Sequence, residues 1–511
     1  MPDSAPLPTS VDANRFRMRS FVERLTQAGE AQIVTENVPL ADVAKYVDNN
    51  PKMVWFKSVG RERTELVANV MGTRKRIAMA LGCEERALRS FQSERFAKPI
   101  PPVEVQRERA PSQEVVLTGA DADFSKLPIH LQHGEDGGPY ISATIDICRD
   151  PDTGFHNLGI RRFMLSGRHT AGIDVTAPSD LRAIYQKHLN RGGGKFPMAV
   201  AIGSHPSYYV GALAIAPPQD EYALVGGLRG EPCPVVKGIT VDLPVPADAE
   251  YVLEGYLDDR GWSEPEGPYG EYLGYYGKLK SNPVFHLTAI THRRDALFQT
   301  VAISGRGLAY SETTHLGALR AEYVAWDALK LAVREPVDVF CSAGGGGMYN
   351  IRVALRQRVP GEARNAIMSV FGSFAEVKHV FVCDDDIDIY DADQVDWALA
   401  TRFQADRDFV VGTGFRTIPL DPSLLGARTG AKAGFDLTIP FAERGKLEFT
   451  VPEPPKFQKV AKKSVREALG DGPKSFREIM EVANSDDGRD IVLELEKLGV
   501  QRTEDGRYFL K

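Results

Sequence analysis

Residues 266–276 read EGPYGEYLGYY, so two carboxylates, Glu266 and Glu271, stand five positions apart with Pro268 between them. Proline keeps this stretch out of a helix, and the glycines on either side of it permit a tight path. Paired carboxylates are equipment for moving protons. Upstream, NLGIRR places Asn157 five residues before Arg162, whose planar guanidinium suits an anionic partner. On a strand, an odd separation sends two side chains to opposite faces, so a bend or bulge is needed for both to reach one site. Without context, two acids in a Gly-Pro turn and an arginine that pairs with a surface carboxylate describe these residues better.

Other candidate motifs fail on spacing. GARTGAKAG (426–434) is one residue short of a P-loop before Gly430, and no Ser or Thr follows Lys432. DDDIDIYD (384–391) alternates acids like a calcium loop, but Ile389 stands where Gly is required and Val395 where Glu is required. SAGGGG (342–347) lacks a dinucleotide-binding frame and reads as a flexible turn. The ten histidines form no spaced ligand set, and the five cysteines form no C-x-x-C pair and read as buried free thiols.

The elements that must position these residues follow from composition and texture. A chain of 511 residues, 43% hydrophobic, has room for several cores. A net charge of −7 with mixed signs lacks the basic face of a nucleic-acid binder. No apolar run of about 18 residues exists and the first residues are polar, so the expectation is a cytoplasmic protein without a membrane span. Residues 1–12 read as a disordered start. Asp12 is a plausible N-cap for an amphipathic helix carrying Met18, Phe21, Val22 and Leu25 and closing at Gly29. Residues 13–114 read as an N-terminal α/β domain that includes a helical stretch, RTELVANVMGTRKRIAMALG. From 115 to 320, short β-rich runs (YISATIDICRD, FPMAVAIG, YYVGALAIA, PVVKGITVDLPVP, VFHLTAITHR) have the rhythm of a barrel or sandwich. PSDLRAIYQKHLNRGG and ETTHLGALRAEYVAWDALKLAV interrupt them as helices. Strand–helix alternation returns over 321–450 as a second α/β unit. Residues 451–511 read as a linker and a small helical tail with a possible hairpin.

The chain resembles the UbiD family of prenylated-flavin-dependent decarboxylases. The resemblance rests, in order, on LPI with GGPYISA, NLGIRR, FPMAVAIG, DEYALVGGLRGEPCPVVK, DLPVPADAEYVLEGYL, EGPYGEYLGYY, VCDDDIDIYDADQVDWALATR and GARTGAKAGFD. It implies an α+β multidomain fold: an N-terminal α/β domain, a central split β-barrel related to flavin reductases, and a C-terminal α/β domain for dimerisation.

The resemblance also implies the site. Asn157 and Glu221 match ligands of a divalent metal, Mn²⁺ or Mg²⁺. The third ligand falls on Asp180, a departure from the family's usual histidine, with His169 as the nearby alternative. Lys432 matches a lysine near the cofactor phosphate, and Ser179, Gly211 and Ala212 fall in cofactor-binding positions. A potassium ion is expected beside carbonyls around Leu158 and 210–213. Arg162, Glu266 and Glu271 match the catalytic trio: Arg162 orients the carboxylate and helps hold the cofactor, Glu266 pairs with Arg162, and Glu271 donates the proton. Two carboxylates beside one cation titrate as a coupled set. Tyr272, Thr314 and His315 are candidate substrate-pocket positions.

The implied reaction is reversible loss of CO₂ from an aromatic or heteroaromatic acid through a covalent substrate–prenylated-FMN adduct. A flavin prenyltransferase would supply the cofactor, and the enzyme would act as a homodimer or a larger assembly of dimers. An FMN-binding oxidoreductase on the same barrel and a non-catalytic subunit of a carboxylase complex are the competing readings.

Overall fold

The computed structural model describes residues 11–215, 219–301, 303, 307–458, 460 and 462–511. Of the expected disordered start, residues 1–10 lie outside the described residues. The chain divides into two compact units, 1–438 and 439–511.

Helix Met18–Gln27 buries the expected face of Met18, Phe21, Val22 and Leu25. Its N-cap is Arg17, not Asp12. Asp12 instead accepts the Asn14 amide at 2.8 Å in a preceding turn, and Arg17 is drawn to Glu250 at 2.9 Å. The helical reading of residues 63–82 is also corrected: Thr64–Ala68 is a strand, and only Arg74–Leu81 is helical. Thr64–Ala68 lies inside a four-stranded sheet between Met53–Val59 and Phe298–Thr300. Leu66 and Ala68 enter one core while Val67 enters another, so both faces are apolar and alternation is invisible. Phe298–Thr300 comes from the segment assigned to the barrel, so the N-terminal sheet is completed by distant chain.

The central nine-stranded sheet begins with Tyr140–Ile141 at one edge and ends with Thr144–Arg149 and His156–Gly159 at the other. Ser142 and Ala143 alone connect strands from these opposite ends. The sheet must therefore curl, and it forms a half-barrel. Phe196–Ile202 and Val284–His292 are strands of this sheet as expected, whereas residues 208–212 of YYVGALAIA lie in the helix Pro206–Ala212, and its last residue, Ala216, lies outside the described residues. That helix starts on Pro206 after a His205 cap and buries Tyr208, Tyr209 and Val210. A short apolar run buried on all sides carries no periodicity that separates helix from strand.

Residues 336–437 build a five-stranded sheet in the order Pro336–Cys341, Asn350–Leu355, His379–Asp384, Thr429–Leu437, Phe409–Arg416. Helices Glu312–Ala332 and Glu362–Ser373 share one of its cores. Arg74 reaches this part from the start of helix Arg74–Leu81 and meets the buried Glu322 at 2.7 Å.

The second unit holds helices Val465–Gly470, Phe476–Ala483 and Gly488–Leu498 and a hairpin, Gln501–Arg502 with Tyr508–Phe509. Its core is Val465, Leu469, Ile479, Ile491 and Leu495. All five cysteines are free, and Cys83 is the one that is partly exposed. Among the described residues no helix is long and apolar enough to cross a membrane.

Candidate active site

The EGPYGEYLGYY segment is a two-tier hairpin. Glu264–Glu266 pairs with Lys280–Asn282, and beyond the Gly267–Pro268 cis peptide Tyr269–Gly270 pairs with Tyr276–Gly277. Residues 271–275 form the tip, where the Glu271 amide donates to the Tyr275 carbonyl at 2.9 Å. The GGPYISA stretch docks against this hairpin. The Gly137 amide donates to the Pro268 carbonyl at 2.8 Å, and a Cβ on Gly137 would lie 2.1 Å from the Gly267 oxygen. Asp136 Oδ1 accepts the Gly270 amide at 2.9 Å.

Arg162 is delivered from the opposite wall. Strand His156–Gly159 ends before it, so strand parity no longer governs where it points. Arg161 pairs with the buried Asp146 at 3.0 Å, and a Cβ on Gly159 would fall 2.0 Å from the Arg161 guanidinium, which explains the glycine in NLGIRR. Arg162 thereby meets the hairpin. Its Nε donates to Glu266 Oε1 at 3.0 Å, its Nη1 lies 3.1 Å from Glu271 Oε1, and Tyr269 places its ring 4.4 Å beneath the guanidinium.

Glu266 is fully buried and fully engaged, accepting also from the Tyr140 hydroxyl at 2.9 Å and from Asn282 Nδ2 at 3.1 Å. Glu271 differs: its Oε1 has no aligned hydrogen-bond donor among the described residues. Burial raises the Glu271 carboxyl above the usual carboxylate range, against the pull of Arg162 and Lys280, while Asp174 and Glu266 add to the rise. Two residues not singled out from the sequence complete the cluster. Asp174 lies 2.9 Å from Arg162 Nη2 and 3.2 Å from Lys280 Nζ, and Lys280 lies 3.6 Å from Glu271. Burial opposes ionisation of Asp174, but Arg162, Lys280 and Thr176 hold it well below the usual range. The available signal for Lys280 was the hairpin register, which sets it opposite Glu266. Asp174 carried none.

A second cluster brings together two of the expected ligands, Asn157 and Glu221. Glu221, in the first turn of helix Glu221–Arg229, accepts from Asn157 Nδ2 at 3.1 Å and from the Leu158 amide. Burial pushes Glu221 up to about 8, with Asp180 and Asp146 adding to it. Asp180 opens helix Asp180–Asn190, with the Ser179 hydroxyl capping the Arg182 amide. Among the described residues no ion pair involves Glu221 or Asp180. The site is therefore a pair of acids without a counter-cation, with an amide alongside. This donor set fits a hard divalent cation, provided the Asn157 amide turns its oxygen toward Glu221. His169 is exposed and its Nδ1 lies 2.7 Å from the Ala122 carbonyl, whereas Asp180 acts electrostatically on Glu221. Gly211 and Ala212 end helix Pro206–Ala212, which packs against strand His156–Gly159, and Gly211 leaves no room for a Cβ beside Val225.

The remaining candidates lie elsewhere in their contacts. Lys432 Nζ donates to the Phe371 and Phe374 carbonyls at 2.6 and 2.9 Å, closing the C-terminus of helix Glu362–Ser373, where free carbonyls attract a cation. Burial lowers Lys432 to about 8. Tyr272 follows Glu271 but packs into the core under the C-terminal sheet, near Tyr349 and Glu376, because the tip turns consecutive side chains apart. Thr314 is buried in helix Glu312–Ala332, and His315 Nε2 meets the Ala309 carbonyl at 2.8 Å. Neither makes a contact with the Arg162 cluster among the described interactions.

Comparison with known proteins identifies the family. The chain matches family models described as the N-terminal, Rift-related and C-terminal domains of 3-octaprenyl-4-hydroxybenzoate carboxy-lyase over residues 22–95, 103–307 and 314–437. It is similar to the UbiD-class enzyme HmfF from Pelotomaculum thermopropionicum, solved with FMN, at 33% identity and a TM-score of 0.80, covering 86% of this chain and 97% of that one. An evolved dimeric form of HmfF, solved with prFMN, gives 32% identity and a TM-score of 0.77 over 86% and 97% of the two chains. The 3,4-dihydroxybenzoic acid decarboxylase of Enterobacter cloacae gives 25% identity and 0.78 over 88% and 98%. With all three family domains matched in order and most of both chains aligned, this protein belongs to the UbiD family of carboxy-lyases.

Proposed function

We propose that this carboxy-lyase removes CO₂ reversibly from an aromatic or heteroaromatic carboxylic acid, using prenylated FMN held in the half-barrel. The observation that carries the reading is the buried Arg162–Glu266–Glu271 cluster, in which Glu266 is saturated with donors and Glu271 is not. Prenylated FMN supplies the electrophile and electron sink that make loss of CO₂ from an sp² carbon feasible. Asn157, Glu221 and Asp180 would hold the divalent cation that neutralises the cofactor phosphate, with potassium beside the Leu158 and 210–213 carbonyls. Gly211, Ala212 and Ser179 would line the cofactor's approach, and Lys432 would join the phosphate only by leaving its helix cap.

Arg162, kept in place through Nε by Glu266 and by the Tyr269 ring, would share the fork that now faces Glu271 and Asp174 with the substrate carboxylate. The bond between the ring carbon and the carboxylate breaks, and CO₂ leaves. The electron pair ends in a new C–H bond whose proton comes from Glu271, which regains one from solvent. The raised proton affinity of Glu271 supports this role. The exposed Phe409 and Val411 on the edge strand Phe409–Arg416 support a dimer formed through the C-terminal sheet. The name of the similar 3,4-dihydroxybenzoic acid decarboxylase supports an aromatic acid as the substrate class.

Co-expression with a flavin prenyltransferase, followed by visible spectroscopy, cofactor mass determination and CO₂ release from a panel of aromatic acids, tests the reading. A prenylated flavin with acid-dependent CO₂ release is the expected result. Ordinary FMN with hydride-transfer activity would establish the oxidoreductase instead, and activity appearing only with an added partner chain would establish the subunit reading.

A further inference from the structure

Glu271 is faced by charged groups from several elements. Arg162 comes from the segment between strands His156–Gly159 and Phe163–Leu165, Asp174 from the end of strand Thr170–Ile173, Glu266 from one hairpin strand and Lys280 from the other. The Tyr269 phenol lies below the guanidinium. Behind Gly270, His133 and Asp136 are 3.5 Å apart and engaged with each other. Asp174 bridges the two cations, 2.9 Å from Arg162 and 3.2 Å from Lys280, and its other oxygen accepts the Thr176 hydroxyl at 2.6 Å and the Thr176 amide at 3.0 Å. Lys280 stands 3.6 Å from the Glu271 oxygen that lacks a donor.

We infer that Asp174 and Lys280 are positioning residues for proton return, completing a charge set of two cations and three carboxylates that is neutral only when Glu271 carries its proton. Arg162 and Lys280 are matched by Glu266 and Asp174, both held by several donors. The carboxylate left over is the one without an aligned donor. When Glu271 gives up its proton, Lys280 is placed to meet the new anion, and solvent reprotonation restores neutrality. Asp174 limits that response by keeping Lys280 and Arg162 partly engaged. The two residues thus act on Glu271 in opposite senses.

The inference builds on the assignment of Glu271 as proton donor, but its test does not require turnover. Infrared titration of the cofactor-free protein reads the carboxylic-acid carbonyl band that Glu271→Gln removes. Lys280→Gln should move the midpoint of that band to higher pH by about one unit, Asp174→Asn should move it to lower pH by a similar amount, and Lys280→Arg should restore it. In the cofactor-loaded enzyme, the high-pH limb of the rate profile should move in the same directions. Shifts of the same sign, or none, overturn the inference. If Asp174→Asn fails to fold, Lys280→Gln against Lys280→Arg decides alone: a shift in the first that is absent from the second is required. Opposed shifts in a protein that releases no CO₂ from any acid would keep the charge set and remove the decarboxylase reading. CO₂ release without opposed shifts would do the reverse.

Discussion

Arg162 Nη1 stands 3.1 Å from Glu271 Oε1 without hydrogen-bond alignment, while the same guanidinium binds Glu266 through Nε at 3.0 Å. One carboxylate is held and the other is kept available. Glu271→Gln should therefore lower turnover by about 10²–10⁴-fold, the usual worth of a positioned proton donor, with fold and cofactor spectrum retained. Product formation by chromatography beside a visible spectrum checks both halves.

Gly277 forms the wall behind Glu271, and a Cβ there would meet Glu271 Oε1 at 2.8 Å and Cγ at 3.1 Å. Gly277→Ala should displace the carboxylate while leaving the hairpin paired. Activity should fall on the order of 10²-fold, as expected for a misplaced reacting group, and the melting temperature should change little.

Removing Arg162 strands Glu266, which is fully buried. Arg162→Gln should cost about 3–5 kcal/mol, the range for breaking a buried ion pair by deleting one partner. Urea unfolding of the cofactor-free variant against the wild type measures it. A loss below about 1 kcal/mol would mean that Glu266 takes up a proton instead of remaining charged.

Glu221 feels the charge of Asp180, no ion pair involves either among the described residues, and burial pushes Glu221 up to about 8. Added Mn²⁺ should stabilise the protein by about 2.7 kcal/mol at a hundredfold excess over its dissociation constant. Binding should tighten as pH rises because it displaces a proton. Thermal shift with and without chelator reads the effect. Glu221→Gln should abolish it, and His169→Gln should not.

Burial lowers His315 to about 4, below the ordinary value of 6.5. The folded state therefore holds it neutral while the unfolded chain takes up a proton, so its contribution is present above pH 6.5 and is lost as pH falls toward 4. The loss amounts to on the order of 3 kcal/mol. His315→Gln should flatten that part of the stability–pH curve relative to wild type, as read by urea unfolding at several pH values.

The residue types alone named candidates for chemistry, and only the resemblance of the surrounding blocks gave them roles. Glu266, Glu271 and Arg162 stand out because Pro268 excludes helix and because the surrounding blocks resemble one family, to which the chain belongs. The amphipathic helix Met18–Gln27 was legible because one face is polar and the other is not. Where burial is two-sided the signal vanishes, so Thr64–Ala68 reads as helix and the run that begins at Tyr208 reads as strand. Partners far apart in the chain were likewise invisible. Asp174 reaches Arg162 and Lys280 only because the half-barrel brings strand Thr170–Ile173 against the hairpin, and no local pattern encodes that contact. Tyr272 and Lys432 show the same limit in reverse: their neighbours in sequence belong to the site, but the turn at the hairpin tip and the open carbonyls of helix Glu362–Ser373 give their side chains other partners. Sequence fixes the donors and acceptors that exist; the curl of the sheet decides which of them share a dry space, and hence which carboxylate keeps its proton.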